Sequence, residues 1–348
     1  MTSEAPNSGS RPAAWCAAYF AIVLAIIAMV AGVNYLVDFY GLFRDSSQRP
    51  IRLYANERTG KYLLGFRYIP ANFQGIVIGT SVTQNWNVAR IGSIRIYNAS
   101  VSGANISEEK LIADNAFARG HIRLAIFCLA PYMTLNHGRK TAYMTPAEYW
   151  GALGSIQLLR DYVGATLARL RGSAPSTTEN GAGRIDVEGN DQDLRWRGVR
   201  QRAEAPTQEF VVDEQAVKEY VELLRTAHAR GARVVGFTAP VYAPVYAAQR
   251  AGYEEYLARM RRLFAPQDLV IDFNAPQYFA YTNDPATFVD GTHLSEKGAA
   301  YFSQELTRRL EQDLGRPALP HASAYRYSTN DATAPSSPRT LGLLDSMR

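Results

Sequence analysis

Residues 12–37 form an unbroken run of 26 residues without a charged side chain. About 20 apolar residues suffice to cross a bilayer core as a helix. Trp15, Tyr19 and Tyr35 stand towards its ends, where aromatic rings favour the membrane–water interface. The apolar stretch is longer than the core of a cleaved signal peptide, and no A-x-A site closes it. Residues 13–37 therefore read as an uncleaved anchor rather than as a signal peptide or a buried helix. An anchor of this kind leaves residues 1–12 as a short tail and forces everything after it to fold as a domain on one side of the membrane. The flanking charges do not choose the side. Arg11 and the terminal amine, opposed by Glu4, precede the run, and Arg44, Arg49 and Arg52 follow it. That count mildly favours an inward-facing domain, but large domains translocate largely regardless of it.

Behind the anchor, residues 38–70 form a connector rich in Tyr and Arg with weak periodicity. From residue 71 to 315, short apolar runs alternate with amphipathic ones. Strands are expected over 75–79, 94–101, 122–129, 233–238 and 269–273. Helices are expected over 107–118, within 145–170, and over 213–230, 247–264 and 295–314, with Ser107, Asp213 and Ser295 as N-caps. Strands alternating with helices predict an α/β fold, a three-layer, doubly wound, mostly parallel sheet. Ligands in such folds sit at the carboxyl ends of the strands. Residues 172–209 are polar and read as an inserted surface loop, and residues 316–348, rich in Pro, Ser, Ala and Thr, as a disordered tail. The cluster Arg195-Trp196-Arg197 and Arg200-Gln201-Arg202 within the insertion reads as a solvated face that can also meet an anionic or sugar ligand.

Composition excludes several classes. The net charge of +5 is spread along the chain with no dense basic block and no nucleic-acid module, so no nucleic-acid partner is expected. Two cysteines and five histidines show no zinc-ligand spacing, and no metal or organic cofactor is expected. Cys16 lies in the anchor and Cys128 in a strand, so no structural disulfide is expected either.

Two short motifs carry chemistry. Gly79-Thr80-Ser81 leaves the first strand, where glycine permits a sharp turn and a serine opens the following helix. Its hydroxyl is exposed there and its own N–H has no helical acceptor, so one residue can both attack a carbonyl and hold the resulting oxyanion. Taken alone, Gly-x-Ser fits a helix N-cap better than a nucleophile. Asp290-Gly291-Thr292-His293 precedes the last helix. At this spacing the carboxylate reaches Nδ1 of the imidazole and leaves Nε2 for a serine proton. After the second strand comes Asn98-Ala99-Ser100-Val101-Ser102-Gly103-Ala104-Asn105, where Gly103 can turn an N–H towards a ligand. His121, His137, His228 and His321 read as structural or solvated. Tyr132, Tyr242, Tyr246, Tyr278 and Tyr281 follow strands or lie in loops, positions from which rings can stack on sugars or fill the core.

In this order the motifs resemble the SGNH (GDSL-like) hydrolase superfamily, over roughly residues 70–315. Within it, the anchor, the following Asn34-Tyr35-Leu36-Val37-Asp38-Phe39-Tyr40-Gly41-Leu42-Phe43-Arg44 and the Gly-Thr-Ser-Val-Thr-Gln-Asn run are similar to the membrane-anchored bacterial branch of teichoic acid D-alanylation and polysaccharide O-acetylation proteins. The resemblance implies an SGNH/flavodoxin-like sheet and a triad of Ser81, His293 and Asp290, with the N–H groups of Ser81 and Gly103 as oxyanion donors. It implies acyl transfer to, or ester cleavage from, an extracytoplasmic glycan by a single-pass protein of the inner (cytoplasmic) membrane. A multi-spanning acyltransferase often accompanies such proteins. An esterase or lipase of the same fold, and a non-catalytic glycan-binding scaffold, are the alternatives. The family's Gly-x-Asn-Asp block is absent, since Cys128-Leu129-Ala130-Pro131-Tyr132 occupies its place. Asn105 and Asn136 are the candidates for the missing third oxyanion donor.

Overall fold

A computed structural model describes residues 10–47, 49–54, 56–135, 138, 151–184, 192–205 and 210–315. Helix α1 (Ser10–Val37) is the apolar run, long and apolar enough to cross a membrane, with few of its side chains buried. It ends at Asp38, whose carboxylate is buried and accepts the N–H groups of Leu42 (2.7 Å), Phe43 (3.2 Å) and Arg44 (2.8 Å). One side chain thus organises the whole turn out of α1. The connector is not irregular, as its weak periodicity predicts; it holds α2 (Glu57–Leu64) and α3 (Tyr68–Asn72). Both pack on α5 (Ile106–Arg119), so tertiary contact supplies what their short sequences lack.

The strands are β1 (Gly75–Ile78), β2 (Arg90–Ile91), β3 (Ile94–Asn98), β4 (Leu124–Cys128), β5 (Arg233–Thr238) and β6 (Leu269–Asp272). They form one sheet in the order β2-β3-β1-β4-β5-β6. Every pair is parallel except β2–β3, an antiparallel edge pair that the sequence pattern does not reveal. β1 and β4 are wholly buried and wholly apolar, as a parallel strand covered on both faces must be. Because β3 lies on one side of β1 and β4 on the other, the winding reverses at the carboxyl end of β1, the place where a crevice opens in a doubly wound fold.

The helices between strands follow from their caps. Asp213 accepts the Ala216 N–H at 2.8 Å and opens α9 (Glu214–Ala229), and Ser295 accepts that of Gly298 and opens α13 (Glu296–Leu314). Ser107 is not the cap of α5. Asn105 is, and the Ser107 hydroxyl donates to Glu219 instead. The expected strand over 94–101 stops at Asn98, whose side chain bonds the chain on both sides of it (below). In the expected helix within 145–170, α7 (Ile156–Leu170) opens at Ser155 after a single 3-10 turn, Ala152–Gly154; residues 145–150 lie outside the described residues. The helix expected over 247–264 is two, α10 (Ala243–Ala248) and α11 (Arg250–Arg261). Short α4 (Ser81–Gln84), α6 (Pro131–Leu135) and α12 (Phe279–Thr282) follow strands or loops.

The insertion departs most from expectation. Within 172–209, Thr177 bridges Gly183, and residues 192–204 form helix α8 (Gln192–Glu204) rather than a loop. Trp196, Val199 and Ala203 turn an apolar stripe onto Val241, Tyr242 and Val245. The proposed tail 316–348 lies outside the described residues. Cys16 is exposed on α1, and Cys128 is buried in β4, where burial pushes its thiol up and keeps it uncharged.

Asp38 joins α1 to the domain that follows. Asp38→Ala is expected to lower thermal stability in detergent by about 2 kcal/mol, because it strands buried N–H groups. Asp38→Asn, which keeps one acceptor oxygen, is expected to fall between it and the native chain.

Candidate active site

Ser81 stands at the carboxyl end of β1, at the first position of α4. The turn is possible only with glycine at 79. A Cβ there would lie 2.2 Å from Thr83 Oγ1 and 3.1 Å from Cys128 Cβ. Thr83 fills that space and donates its hydroxyl to the Thr80 carbonyl or to Ser100 Oγ, both within 3.0 Å. Beyond α4, Asn98 Nδ2 reaches the carbonyls of Thr83 (2.8 Å), Gln84 (3.2 Å) and Trp86 (2.9 Å), while its Oδ1 accepts the Ser100 N–H. One buried amide thus ties α4, which Ser81 begins, to the end of β3. Trp86 is fully buried against Phe237, Phe273 and Phe302 and donates Nε1 to the Val82 carbonyl, so the turn rests on the aromatic core.

The histidine comes from the other end of the chain on a short closed loop. Phe288 bridges Leu294, and the Val289 N–H donates to the His293 carbonyl at 2.8 Å. Inside it, Asp290 Oδ1 accepts the N–H groups of Thr292 (3.2 Å) and His293 (2.9 Å), which fixes the carboxylate beneath the ring. His293 Nδ1 lies 2.9 Å from Asp290 Oδ2, and His293 Nε2 lies 2.9 Å from Ser81 Oγ. With the carboxylate holding a proton on Nδ1, Nε2 is the acceptor for the serine O–H. Burial pushes the Asp290 carboxyl up. The ring of His293 and the N–H groups of His293 and Thr292 outweigh it and hold the group well below the usual carboxylate range.

The two halves are joined directly. Asn85, at the end of α4, donates Nδ2 to the Leu294 carbonyl at 2.8 Å. Nothing in the sequence around Asn85 announces this contact, which spans more than two hundred residues. Arg202 of α8 donates to the Asp290 carbonyl at 2.7 Å, and Val199 packs over Gly291. The insertion therefore braces the Asp–His loop. The sparse spacing of Trp196, Val199 and Ala203 is the signal that could have marked it as a helix.

On the opposite flank, α2 brings charge beside the end of β3 and α4. Lys61 is fully buried, donates to the Ser100 carbonyl at 2.6 Å and pairs with Glu57 at 2.7 Å, and Gln84 donates to Glu57. Glu109 accepts the Val101 N–H at 3.1 Å. Burial pushes its carboxyl well up, and nearby Lys61 offsets only part of that. Arg58 pairs with Glu108 and donates to the Ser102 carbonyl.

Of the oxyanion candidates, Gly103 adopts the left-handed conformation (φ +64°) between Arg58 and the Tyr132 hydroxyl. Asn105 Oδ1 caps α5 and its Nδ2 donates to the Gly138 carbonyl, so both ends of its amide have partners within the protein. Asn136 and His137 lie outside the described residues. His228 pairs with Asp268 at 2.8 Å, remote from Ser81 in the chain's layout, at the amino ends of the strands. Tyr242 and Tyr246 pack beside α8, and Tyr278 is buried in the core. Among the described residues, no three His, Cys, Asp or Glu side chains are grouped to hold a metal ion. A cavity of about 50 Å³ opens at the carboxyl ends of β4 and β5, lined by Val82, Ala130, Pro131, Ala239, Val241 and Thr292 among others.

No protein-family model matches the chain, and no curated protein matches it. Among solved structures it is similar to a protein from Streptococcus pneumonia provisionally described as a platelet activating factor, at 12% identity and a TM-score of 0.40, over 73% of this chain and 91% of that one. It is also similar to an acetyl xylan esterase from the rumen bacterium Butyrivibrio proteoclasticus, at 11% identity and a TM-score of 0.27, over 69% of this chain and 63% of that one.

A carboxyl held below its unfolded value stabilises the native state fully above about pH 4 and loses that contribution as pH falls through the native value. The stability advantage of the native chain over Asp290→Asn is therefore expected to shrink as pH falls below about pH 4. Denaturant unfolding of both proteins between about pH 5 and pH 2 checks it, and an advantage that grows below about pH 4 would contradict the assignment.

Proposed function

We propose that this chain is a membrane-anchored serine enzyme of SGNH type that transfers an O-acyl group, chiefly O-acetyl, to a polysaccharide outside the cytoplasm. The observation that carries the reading is the continuous hydrogen-bonded line from Ser81 Oγ through His293 to Asp290, each step 2.9 Å. An N-cap serine needs no imidazole on its oxygen, and a surface histidine needs no carboxylate on its other nitrogen.

The chemistry follows from those atoms. Ser81 Oγ attacks the ester carbonyl as its proton passes to His293 Nε2, and Asp290 stabilises the imidazolium that forms. The N–H groups of Ser81 and Gly103 hold the tetrahedral oxyanion. His293 then returns the proton to the leaving alkoxide, the C–O bond breaks, and the acyl group stays on Ser81. An acceptor hydroxyl gives its proton to His293, attacks the acyl-serine and leaves acylated, which restores Ser81. A sugar hydroxyl as acceptor makes the enzyme a transferase, and water makes it an esterase. The small, mainly apolar cavity beside Val82 and Thr292 matches a group of a few heavy atoms such as acetyl. Residues 13–37 hold the protein in the inner membrane as a single pass, and a multi-spanning acyltransferase is the expected source of the acyl group.

A fluorophosphonate probe is expected to label the intact protein and not Ser81→Ala. Equal labelling of the two, or none of either, removes the triad from the reading. Asn85→Ala, which frees the histidine loop from α4, is expected to slow labelling about 10-fold to 100-fold, the cost of misplacing a catalytic group by an ångström or less. Transfer is checked by supplying an acetyl donor with glycan oligomers present and absent. Acetate release that is unchanged by the oligomers, with no acetylated glycan formed, would make the protein an esterase.

Short-acyl preference is tested with nitrophenyl esters of increasing chain length. Acetate is expected to turn over fastest, and Val241→Ala is expected to narrow the gap to butyrate. Equal rates for acetate and hexanoate in the native chain would dismiss the cavity as an acyl site.

A further inference from the structure

Helix α7 carries two apolar faces, and the domain uses only one. Leu158, Tyr162 and Ala165 are buried, with Tyr162 against Phe39 and Tyr40 of the turn below the anchor. Ile156, Val163, Leu167 and Leu170 are 63%, 51%, 43% and 78% exposed. At 3.6 residues per turn these four fall within an arc of about 60°, centred about 140° away from the buried face. Leu153, in the 3-10 turn before the helix, is exposed as well. Four large aliphatic side chains aligned over the helix's whole length form a stripe rather than scattered exposure.

The position of the stripe says what covers it. Asn34, buried near the end of α1, donates Nδ2 to the carbonyls of Ala152 (3.0 Å), Leu153 (2.8 Å) and Ser155 (3.1 Å). These carbonyls belong to the turn that launches α7, so the helix starts alongside the last turn of the apolar run. Asn34 precedes Val37, the run's end, by three residues, or about 5 Å of rise. Exposed Tyr35 and Leu36 stand at the same level. Arg160 and Arg171 are exposed on one edge of the stripe, and Arg44 closes the end of α1 by donating to the Leu36 carbonyl. Apolar residues bordered by arginines at the end of a membrane span match the boundary between acyl chains and anionic headgroups.

We propose that α7 lies in the plane of the membrane interface with Ile156, Val163, Leu167 and Leu170 in lipid, so that α1 and α7 hold the domain at two points. This rests on the reading of α1 as a membrane anchor. A single span leaves a domain free to rotate and tilt about its exit; a second, in-plane helix fixed to that exit removes this freedom. Asn56 Nδ2 donates to Asp161 of α7 at 2.6 Å, and Asn56 opens α2, which carries Lys61 to the Ser100 carbonyl and Arg58 to the Ser102 carbonyl, just before Gly103. The orientation that α7 sets is thereby passed to the site through one short helix.

The test uses the full-length chain with Cys16→Ser and a single new cysteine at Leu24, Leu167 or Gln304, labelled with a polarity-sensitive fluorophore. Each protein is reconstituted in vesicles of phosphatidylcholine and phosphatidylglycerol, with and without lipids carrying a spin-label quencher in the upper acyl chain. Labels at Leu24 and Leu167 are expected to shift to the blue and to lose intensity to the quencher, while the label at Gln304 does neither. Quenching at Leu24 without quenching at Leu167 overturns the proposal and leaves the anchor standing, whether water or another protein covers the stripe. No quenching at Leu24 removes the anchor reading, and this proposal with it.

Discussion

The meeting of two segments more than two hundred residues apart, at the carboxyl end of β1, is the constraint on which the site depends. Neither Ser81 nor His293 has a useful geometry alone. The hydrogen bond from Asn85 to the Leu294 carbonyl sets the distance between them, because Asn85 ends the helix that Ser81 begins. It is supported from below by Trp86 in its aromatic cage and from the side by Asn98, which gathers three carbonyls of the same turn. A hydrogen bond in a packed, largely water-free setting holds position better than one at the surface, where water competes for each partner. The winding reversal at β1 supplies that setting, since it leaves the strand's end open to a loop arriving from the far side of the sheet.

Charge under the Ser81 turn is harder to account for by stability alone. Lys61 and Glu108 are fully buried, and taking ions out of water costs several kcal/mol each before any pairing offsets it. Apolar side chains of similar size would pack there at lower cost. What these side chains provide is direction. Lys61 bonds the Ser100 carbonyl, Glu109 takes the Val101 N–H, and Arg58 takes the Ser102 carbonyl. Three successive residues leading to Gly103 are thus each held by a different side chain, two of them from α2. A backbone that must present an N–H at a left-handed glycine needs its approach fixed, and this network fixes it.

What could be read from the sequence was whatever depends on near neighbours. The exit of β1, the Asp290–His293 spacing, and the caps Asp213 and Ser295 are local, and each expectation coincides with the structure. Ser107 failed as a cap because Asn105, two residues earlier, competes for the same role and has the better-placed oxygen. Helix α8 was hidden by its charge, as an apolar stripe of only Trp196, Val199 and Ala203 does not stand out among four arginines. Asn85, Asn98 and Lys61 were invisible for a different reason. Their roles lie in the carbonyls they meet, and a carbonyl has no identity in a sequence. The strand β2 is two residues long and is stabilised by pairing with β3, which no periodicity over two residues can show.

The exit of β4 bears on what the proposed enzyme does with its acyl group. Ala130 and Pro131 follow β4 and line a small cavity. On the proposed reading the oxyanion is held by two backbone N–H groups without a side-chain donor, and the lack of one donor costs about 10²–10³ in rate. Hydrolysis by dilute, unpositioned attack would suffer the whole of it. A bound acceptor hydroxyl recovers the loss, since an oriented neighbour is worth effective concentrations of about 10⁵ M or more. On the proposed reading, a site with a shallow oxyanion hole and a short acyl cavity therefore discriminates by acceptor: it turns over slowly when only water arrives and faster when a polysaccharide hydroxyl is held beside the acyl-serine. Bracing of the Asp290 loop by Arg202 fits this division of labour, because a histidine that must stay ready to take the proton of a large acceptor has to keep its position while the acceptor comes and goes.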